Sequence, residues 1–298
     1  MIRSDTLAGN LQAFLIDARV RELADDTIAD YRRFLTEFIR FLAGIGITKP
    51  DAITRQHVQL FLLKKRETCN KESVLHYYRD IRRLLNWLVS EQVLKYSVLA
   101  GWKPPKADDV LIKPFEGDQL RGLLALCDDS FLGLRNRAMI LLFLDTGLRK
   151  KELAGLQLDD VDFDHELVTT KGKGNKERYV RMGKRTQRAL LRYLMQRRDR
   201  EPGLWVSEER GPLQPGAIYQ MLHKLGQRAG ISGVRCSPHT LRHTAGTMAL
   251  ENGAQERQVQ ELLGHATAAM TRRYTKTLQS KWAAEAHKKF GPVDNLKL

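Results

Sequence analysis

SPHTLRHTAGTMALENGAQERQVQELLGHATAAMTRRY, residues 237–274, brings His239, Arg242, His265 and Tyr274 into four short segments, and the fold of the chain is read outward from it. Ser237 is a helix N-cap, Pro238 suits the first helical position and Asn252-Gly253 offers a stop, so the spacing predicts a helix over 238–250. Leu241, Ala245, Met248 and Ala249 recur at helical spacing as its core face. His239 and Arg242, three residues apart, share one edge beside that stripe. A second short helix is predicted from Gln255 to Leu263, ending at Gly264, with His265 on the exit turn. A third segment carries Tyr274 among Arg272, Arg273 and Lys276.

Any one of these residues could do no more than complete a hydrogen bond in a core. A metal is the sharper competitor, because Cys236, His239 and His243 stand at C-x2-H-x3-H spacing and His265 could be a fourth ligand. No paired cysteine motif accompanies them, and the HTLRH segment lacks the glutamate that a zinc-protease helix places after its first histidine. An arginine at the centre of the cluster suits an anion. The expectation is a site without a metal and without a cofactor.

At 298 residues the chain exceeds the size at which one hydrophobic core usually keeps growing, which predicts two domains. A net charge of +15 points to a polyanion, nucleic acid or acidic membrane. The excess is shared: 17 basic and 12 acidic residues precede residue 104, and 33 and 23 follow. Three scattered cysteines, Cys69, Cys127 and Cys236, fit a reducing compartment. The N-terminus has no apolar signal core, and the longest apolar run, Ala138 to Leu144, is far short of the ~20 residues that span a bilayer. A soluble, cytoplasmic protein is expected.

The fold class expected is mainly α (α+β). Helical periodicity from Leu7 to Leu42, broken at Leu23–Thr27 with Asp26 as a cap, gives two helices; Thr54 or Asp51 starts a third, and Lys71 to Glu91 makes a fourth. These form an N-terminal helical bundle over 1–103. The pattern lapses between Ser97 and Pro114, which places a linker at 104–109 and a second domain at 110–298. There, helices are predicted over Glu116–Cys127, Leu134–Asp145, Gln187–Arg198 and Gly216–Ala229. Arg149 opens a further helix with Glu152 spaced to orient its guanidinium. Leu167–Thr170 and Arg178–Met182 alternate as strands around a glycine turn, Gly172-Lys173-Gly174-Asn175, which presents Lys173.

Arg149, Lys173, His239, Arg242, His265 and Tyr274 together are two guanidiniums, an ammonium, two imidazoles and a phenol, the parts needed for phosphoryl transfer without a metal. The guanidiniums can fork onto the non-bridging oxygens of a phosphodiester while Tyr274 supplies an in-line nucleophile. Lys173 can protonate the leaving oxygen.

GLRKKEL, GKGNKER, SPHTLRH, LLGH and RRYT, in that order, resemble the motifs of the tyrosine recombinase (phage integrase) family, and the likeness spans nearly the whole chain. The compact length looks most like Xer-type and simple mobile-element recombinases. The resemblance implies a clamp around duplex DNA carrying inverted-repeat half-sites, a 3′-phosphotyrosine on Tyr274, and strand exchange through a Holliday junction in a synaptic tetramer, which could include a paralogous recombinase. It implies no ATP, metal, membrane or small-molecule substrate. It makes Arg149 and Arg242 the phosphate clamp, Lys173 the general acid, Tyr274 the catalytic nucleophile, His239 and His265 phosphate ligands that can also assist with the tyrosine proton, and Glu152 a support. Lys150 and Lys151 depart from the small or polar residues common after the first arginine, and Lys171 and Lys176 flank Lys173 as alternative acids. A type IB topoisomerase, which uses the same chemistry without synapsis, and an inactive DNA-binding relative are the competing readings. The resemblance implies a biological role in chromosome-dimer resolution or in integration and excision of a mobile element. An apolar stripe of Leu278, Trp282, Ala286 and Phe290 is expected on a C-terminal helix that either folds back on its own domain or, as the resemblance implies, docks on a neighbouring protomer.

Overall fold

The computed structural model describes residues 5–106, 112–171 and 177–264, and the chain divides into two compact units, Met1–Val110 and Leu111–Leu298. Eleven helices and one small sheet lie among the described residues, the mainly helical α+β architecture that the sequence predicts. Lys173, His265, Tyr274 and the C-terminal stripe lie outside the described residues. No helix among the described residues is long and apolar enough to cross a membrane.

The first unit contains α1 (Leu7–Val20), α2 (Asp25–Gly44), α3 (Arg55–Thr68) and α4 (Lys71–Ser90). Helix α4 packs against the other three, and Leu35, Phe38, Leu42, Val58, Ile81, Leu85 and Leu88 are buried between them. Thr54 caps α3 by accepting from the His57 N–H, and Asn70 caps α4. Helix α2 starts differently from the sequence expectation. Ala24 is its cap residue and contributes no side-chain bond, while Asp25 and Asp26 sit in the first turn, where carboxylates complement the positive end of the helix dipole. The lapse in periodicity after Ser97 is also not yet a linker. Leu99 is buried, Arg55 donates to the carbonyls of Val98 and Ala100, and the Tyr78 hydroxyl donates to Trp102 O at 2.8 Å.

In the second unit, α5 (Gly117–Ala125), α6 (Phe131–Thr146) and α7 (Lys150–Ala154) precede an antiparallel sheet of β1 (Val161–Asp162), β2 (Leu167–Lys171) and β3 (Glu177–Arg181). The register pairs Val161 with Val168, Leu167 with Arg181, and Thr170 with Arg178. Strand β1 is an element the sequence did not announce, since two residues carry no periodicity. Then come α8 (Lys184–Met195), α9 (Pro215–Arg228), α10 (Pro238–Glu251) and α11 (Glu256–Leu263). Apolar α6 is the centre, packed on both α8 and α10.

Two helices begin a turn before their apolar pattern does, each for a capping reason. The Ser130 hydroxyl accepts from Gly133 N, which starts α6 at Phe131. Helix α8 has a glycine, Gly183, at its cap position, and Asp145 at the end of α6 supplies the missing acceptor: its Oδ2 takes Gly183 N–H at 2.7 Å and the Thr186 hydroxyl at 2.5 Å.

Helix α10 is capped by Ser237 as predicted, but its core face is broader than the periodicity suggests. It is packed on α6, α9 and α11, so Thr240, Arg242, His243, Thr244 and Thr247 are buried along with Leu241 and Ala245, whereas Met248 is exposed and Ala249 only half-buried. The threonines are satisfied locally: Thr244 donates to Thr240 O and accepts from Phe115 N, and Thr240 donates to Arg235 O. His243 Nδ1 lies 3.2 Å from the Thr247 hydroxyl, and burial, aided by the charge of nearby His239, pushes its pKa down to about 4.

Two outcomes are expected. Asp145→Ala should destabilise the protein by about 1 kcal/mol in denaturant titration, with Asp145→Asn closer to wild type, because one remote side chain carries the α8 cap. Neutral His243 is held in the folded state while the unfolded histidine takes up a proton near its ordinary value of 6.5, so stability should fall as pH drops from about 6.5 towards about 4. Melting temperatures over that range should flatten in His243→Asn.

Candidate active site

Gly147 ends α6 in the left-handed conformation, at φ 56°, and a Cβ there would lie 2.3 Å from Leu263 Cδ2. Gly264 ends α11 in the same way, at φ 60°, and its Cβ would lie 2.4 Å from Arg178 Nη1. Both positions therefore require glycine for backbone and for space. These two turns carry the backbone carbonyls that gather the arginines.

Arg242, buried in α10, donates through Nη1 to Gly147 O and through Nη2 to Leu263 O, both at 2.5 Å. The C-terminal carbonyls of a helix lack intrahelical partners, so this guanidinium satisfies the ends of α6 and α11 at once. Arg149 donates through Nη2 to the next carbonyl along, Gly264 O, at 2.5 Å. Consecutive carbonyls thus hold the two arginines that the sequence singled out, although they lie on different elements.

Glu152 completes the placement of Arg149. Its carboxylate accepts the Arg149 backbone N–H at 2.8 Å and Nη1 at 2.7 Å, so it caps α7 and orients the guanidinium together. Arg178, on β3, reaches the same carboxylate at 3.3 and 3.0 Å. Burial works to raise the Glu152 pKa, and the Arg149 hydrogen bonds and the Arg178 and Arg149 charges outweigh it, leaving the carboxyl below its ordinary range and ionised. Arg149 is 38% exposed, against 7% for Glu152, so its remaining edge is open to an anion.

His239, one turn before Arg242 on α10, is exposed. The structure therefore brings Arg149, Glu152 and Arg242 together, with His239 on the same helix as Arg242. The Cys236, His239, His243 spacing does not gather into a ligand cluster among the described residues. Cys236 Sγ instead packs on Gly226 of α9, and His243 turns inward to Thr247. Arg178 is the residue the sequence reading missed. Its signal was the alternation of β3, in which Val180 is buried and Tyr179 and Arg181 are exposed, so that a cation at 178 falls on the inward face.

A pair of guanidiniums fixed to helix-end carbonyls is a preorganised receptor for a tetrahedral oxyanion, because no reorganisation is needed when charge develops. Comparison with known proteins agrees. The profile described as "Phage integrase family" matches residues 113–281, and "Phage integrase, N-terminal SAM-like domain" matches 11–95. The tyrosine recombinase XerC of Actinobacillus succinogenes is 34% identical over 259 residues, 86% of this chain and 88% of that protein. The tyrosine recombinase XerD of Mycobacterium tuberculosis is 34% identical over 304 residues, 93% of this chain and 97% of its own length. Among solved structures, a lambda integrase tetramer bound to a Holliday junction shares the fold, with a TM-score of 0.75 at 16% identity over 89% of this chain and 79% of that one. With profiles matched in both units and a third of its residues shared with such relatives along most of its length, the chain belongs to the phage integrase family and is a tyrosine site-specific recombinase.

Proposed function

We propose that this recombinase cleaves and rejoins double-stranded DNA through a 3′-phosphotyrosine on Tyr274, with Arg149 and Arg242 as the phosphate clamp. The observation that carries the reading is the holding of both guanidiniums by the adjacent carbonyls of Leu263 and Gly264. In cleavage the Tyr274 oxygen bonds to phosphorus and passes its proton to His239 or His265, the bond to the 5′ oxygen breaks, and Lys173 protonates that oxygen as it leaves. Arg149 and Arg242 neutralise the charge on the non-bridging oxygens of the pentacovalent transition state, and His239 and His265 bind the same oxygens. Rejoining is the reverse, with a 5′ hydroxyl from the partner strand as nucleophile. Because the phosphotyrosine conserves the phosphodiester energy, neither a nucleotide nor a metal is needed.

The first unit is proposed to bind DNA together with the second. Its exposed Lys64, Arg66, Lys71, Arg79, Arg82 and Arg83 would track phosphates, and the overall charge of +15 fits a polyanion. A tetramer on DNA and a Holliday-junction intermediate are supported by the fold shared with the junction-bound lambda integrase, and inverted-repeat half-sites by that shared with XerH recombinase bound to a palindromic difH substrate. The role in the cell is resolution of chromosome dimers or integration and excision of a mobile element.

Tyr274→Phe should bind DNA as wild type does and form no covalent adduct with a nicked suicide substrate on a denaturing gel. An adduct retained by that variant moves the nucleophile elsewhere, with Tyr179 and Tyr219 the next to test. Lys173→Ala should slow cleavage of ordinary DNA by roughly 10²- to 10⁴-fold, the loss expected for a positioned acid. It should cleave a substrate with a 5′-bridging sulfur almost as fast as wild type, since that leaving group needs no proton. Equal loss on both substrates assigns the proton to another group, Lys171 or Lys176 first.

A further inference from the structure

One carboxylate, Glu152, serves two guanidiniums. Arg149 takes Oε1 through Nη1 and Oε2 through its backbone N–H, and Arg178 forks onto the same two oxygens from β3. Arg178 is 16% exposed, and its Nη1 occupies the space left by the missing side chain of Gly264, the turn whose carbonyl holds Arg149. It therefore stands at the same junction as the phosphate clamp, reaching it from the sheet.

A carboxylate bonded to Arg149 alone would orient the guanidinium and also cancel its charge. A neutral ion pair attracts a phosphodiester far less than a cation does. Two guanidiniums on one carboxylate leave the cluster with one net positive charge, and the bidentate fork of Arg178 draws the carboxylate charge towards β3. We infer that Arg178 is a positioning residue that offsets the charge of Glu152, so that Arg149 is oriented by a carboxylate and still meets the scissile phosphate as a cation. The inference rests on the reading of Arg149 as a phosphate ligand. An ordinary structural ion pair would hold β3 to α7 and would have no such effect on how the enzyme responds to phosphate charge.

The test uses the full-length protein and nicked suicide DNA, with Arg178→Met, Glu152→Gln and the double variant. Arg178→Met should slow cleavage by roughly 10- to 100-fold, the scale of losing one preorganised electrostatic group, with DNA affinity little changed. On DNA whose scissile phosphate is a methylphosphonate, which lacks the negative charge that Arg149 neutralises, that deficit should shrink severalfold. Adding Glu152→Gln to Arg178→Met restores the net positive charge, so the double variant should cleave faster than Arg178→Met alone. An equal deficit on both substrates, or a double variant no faster than the single one, overturns the inference. If Arg178→Met does not fold, Arg178→Lys decides the matter: it keeps the charge without the fork and should stay within about threefold of wild type, and a larger loss in a folded protein overturns the inference. Failure of the underlying reading looks different, because Arg149→Ala would then cleave ordinary DNA about as fast as wild type.

Discussion

The catalytic half of this recombinase depends on two helices that stop in left-handed glycines. Gly147 and Gly264 turn the chain at the ends of α6 and α11, and the carbonyls so exposed are the acceptors for Arg242 and Arg149. A helix end is electronegative, so the same turn that terminates the helix attracts the cation that must sit there. Capping and site assembly are thus one interaction. A side chain at either glycine would meet Leu263 or Arg178 at less than van der Waals distance, besides straining the backbone.

The two arginines are held by different means, and the difference matters for charge. Backbone carbonyls at two helix ends hold Arg242, whereas Glu152 orients Arg149 with a full negative charge. Arg178 stands on the far side of that carboxylate and balances it. The sheet, small as it is, belongs to the electrostatics of the site as well as to its scaffold.

What could be read in the sequence was what depends on neighbours in the chain. Ser237 and Pro238 announced α10, Gly264 announced the end of α11, and the three-residue step from Arg149 to Glu152 announced their pairing. What could not be read depends on groups without sequence identity or on long separation. Gly147 O and Leu263 O are backbone acceptors, which no residue type signals. Asp145 caps a helix 38 positions on. The burial of Thr244 and His243 follows from three helices closing on α10, a tertiary fact that overrides its modest amphipathicity. Arg178 was masked by its company, since in a strand reading Glu-Arg-Tyr-Val-Arg a charged residue at the inward position is hard to tell from its exposed neighbours. Lys173, His265 and Tyr274 rest on motif and chemistry, and the experiments on them carry that part of the argument.

The bonds that tie Arg242 and Arg149 to the end of α11 run across separations of 21 and 115 residues, and a further bond ties Arg242 to the end of α6, 95 residues away. A chain emerging from the ribosome has made Arg149 long before Leu263 and Gly264 exist, and Arg242 is still without one of its two anchors. The guanidiniums cannot be preorganised until synthesis has passed that turn, and the proposed nucleophile, Tyr274, comes ten residues later still. An incomplete chain is basic enough to settle on DNA, yet the order of the sequence withholds its capacity to break a strand until the fold that can reseal it is present.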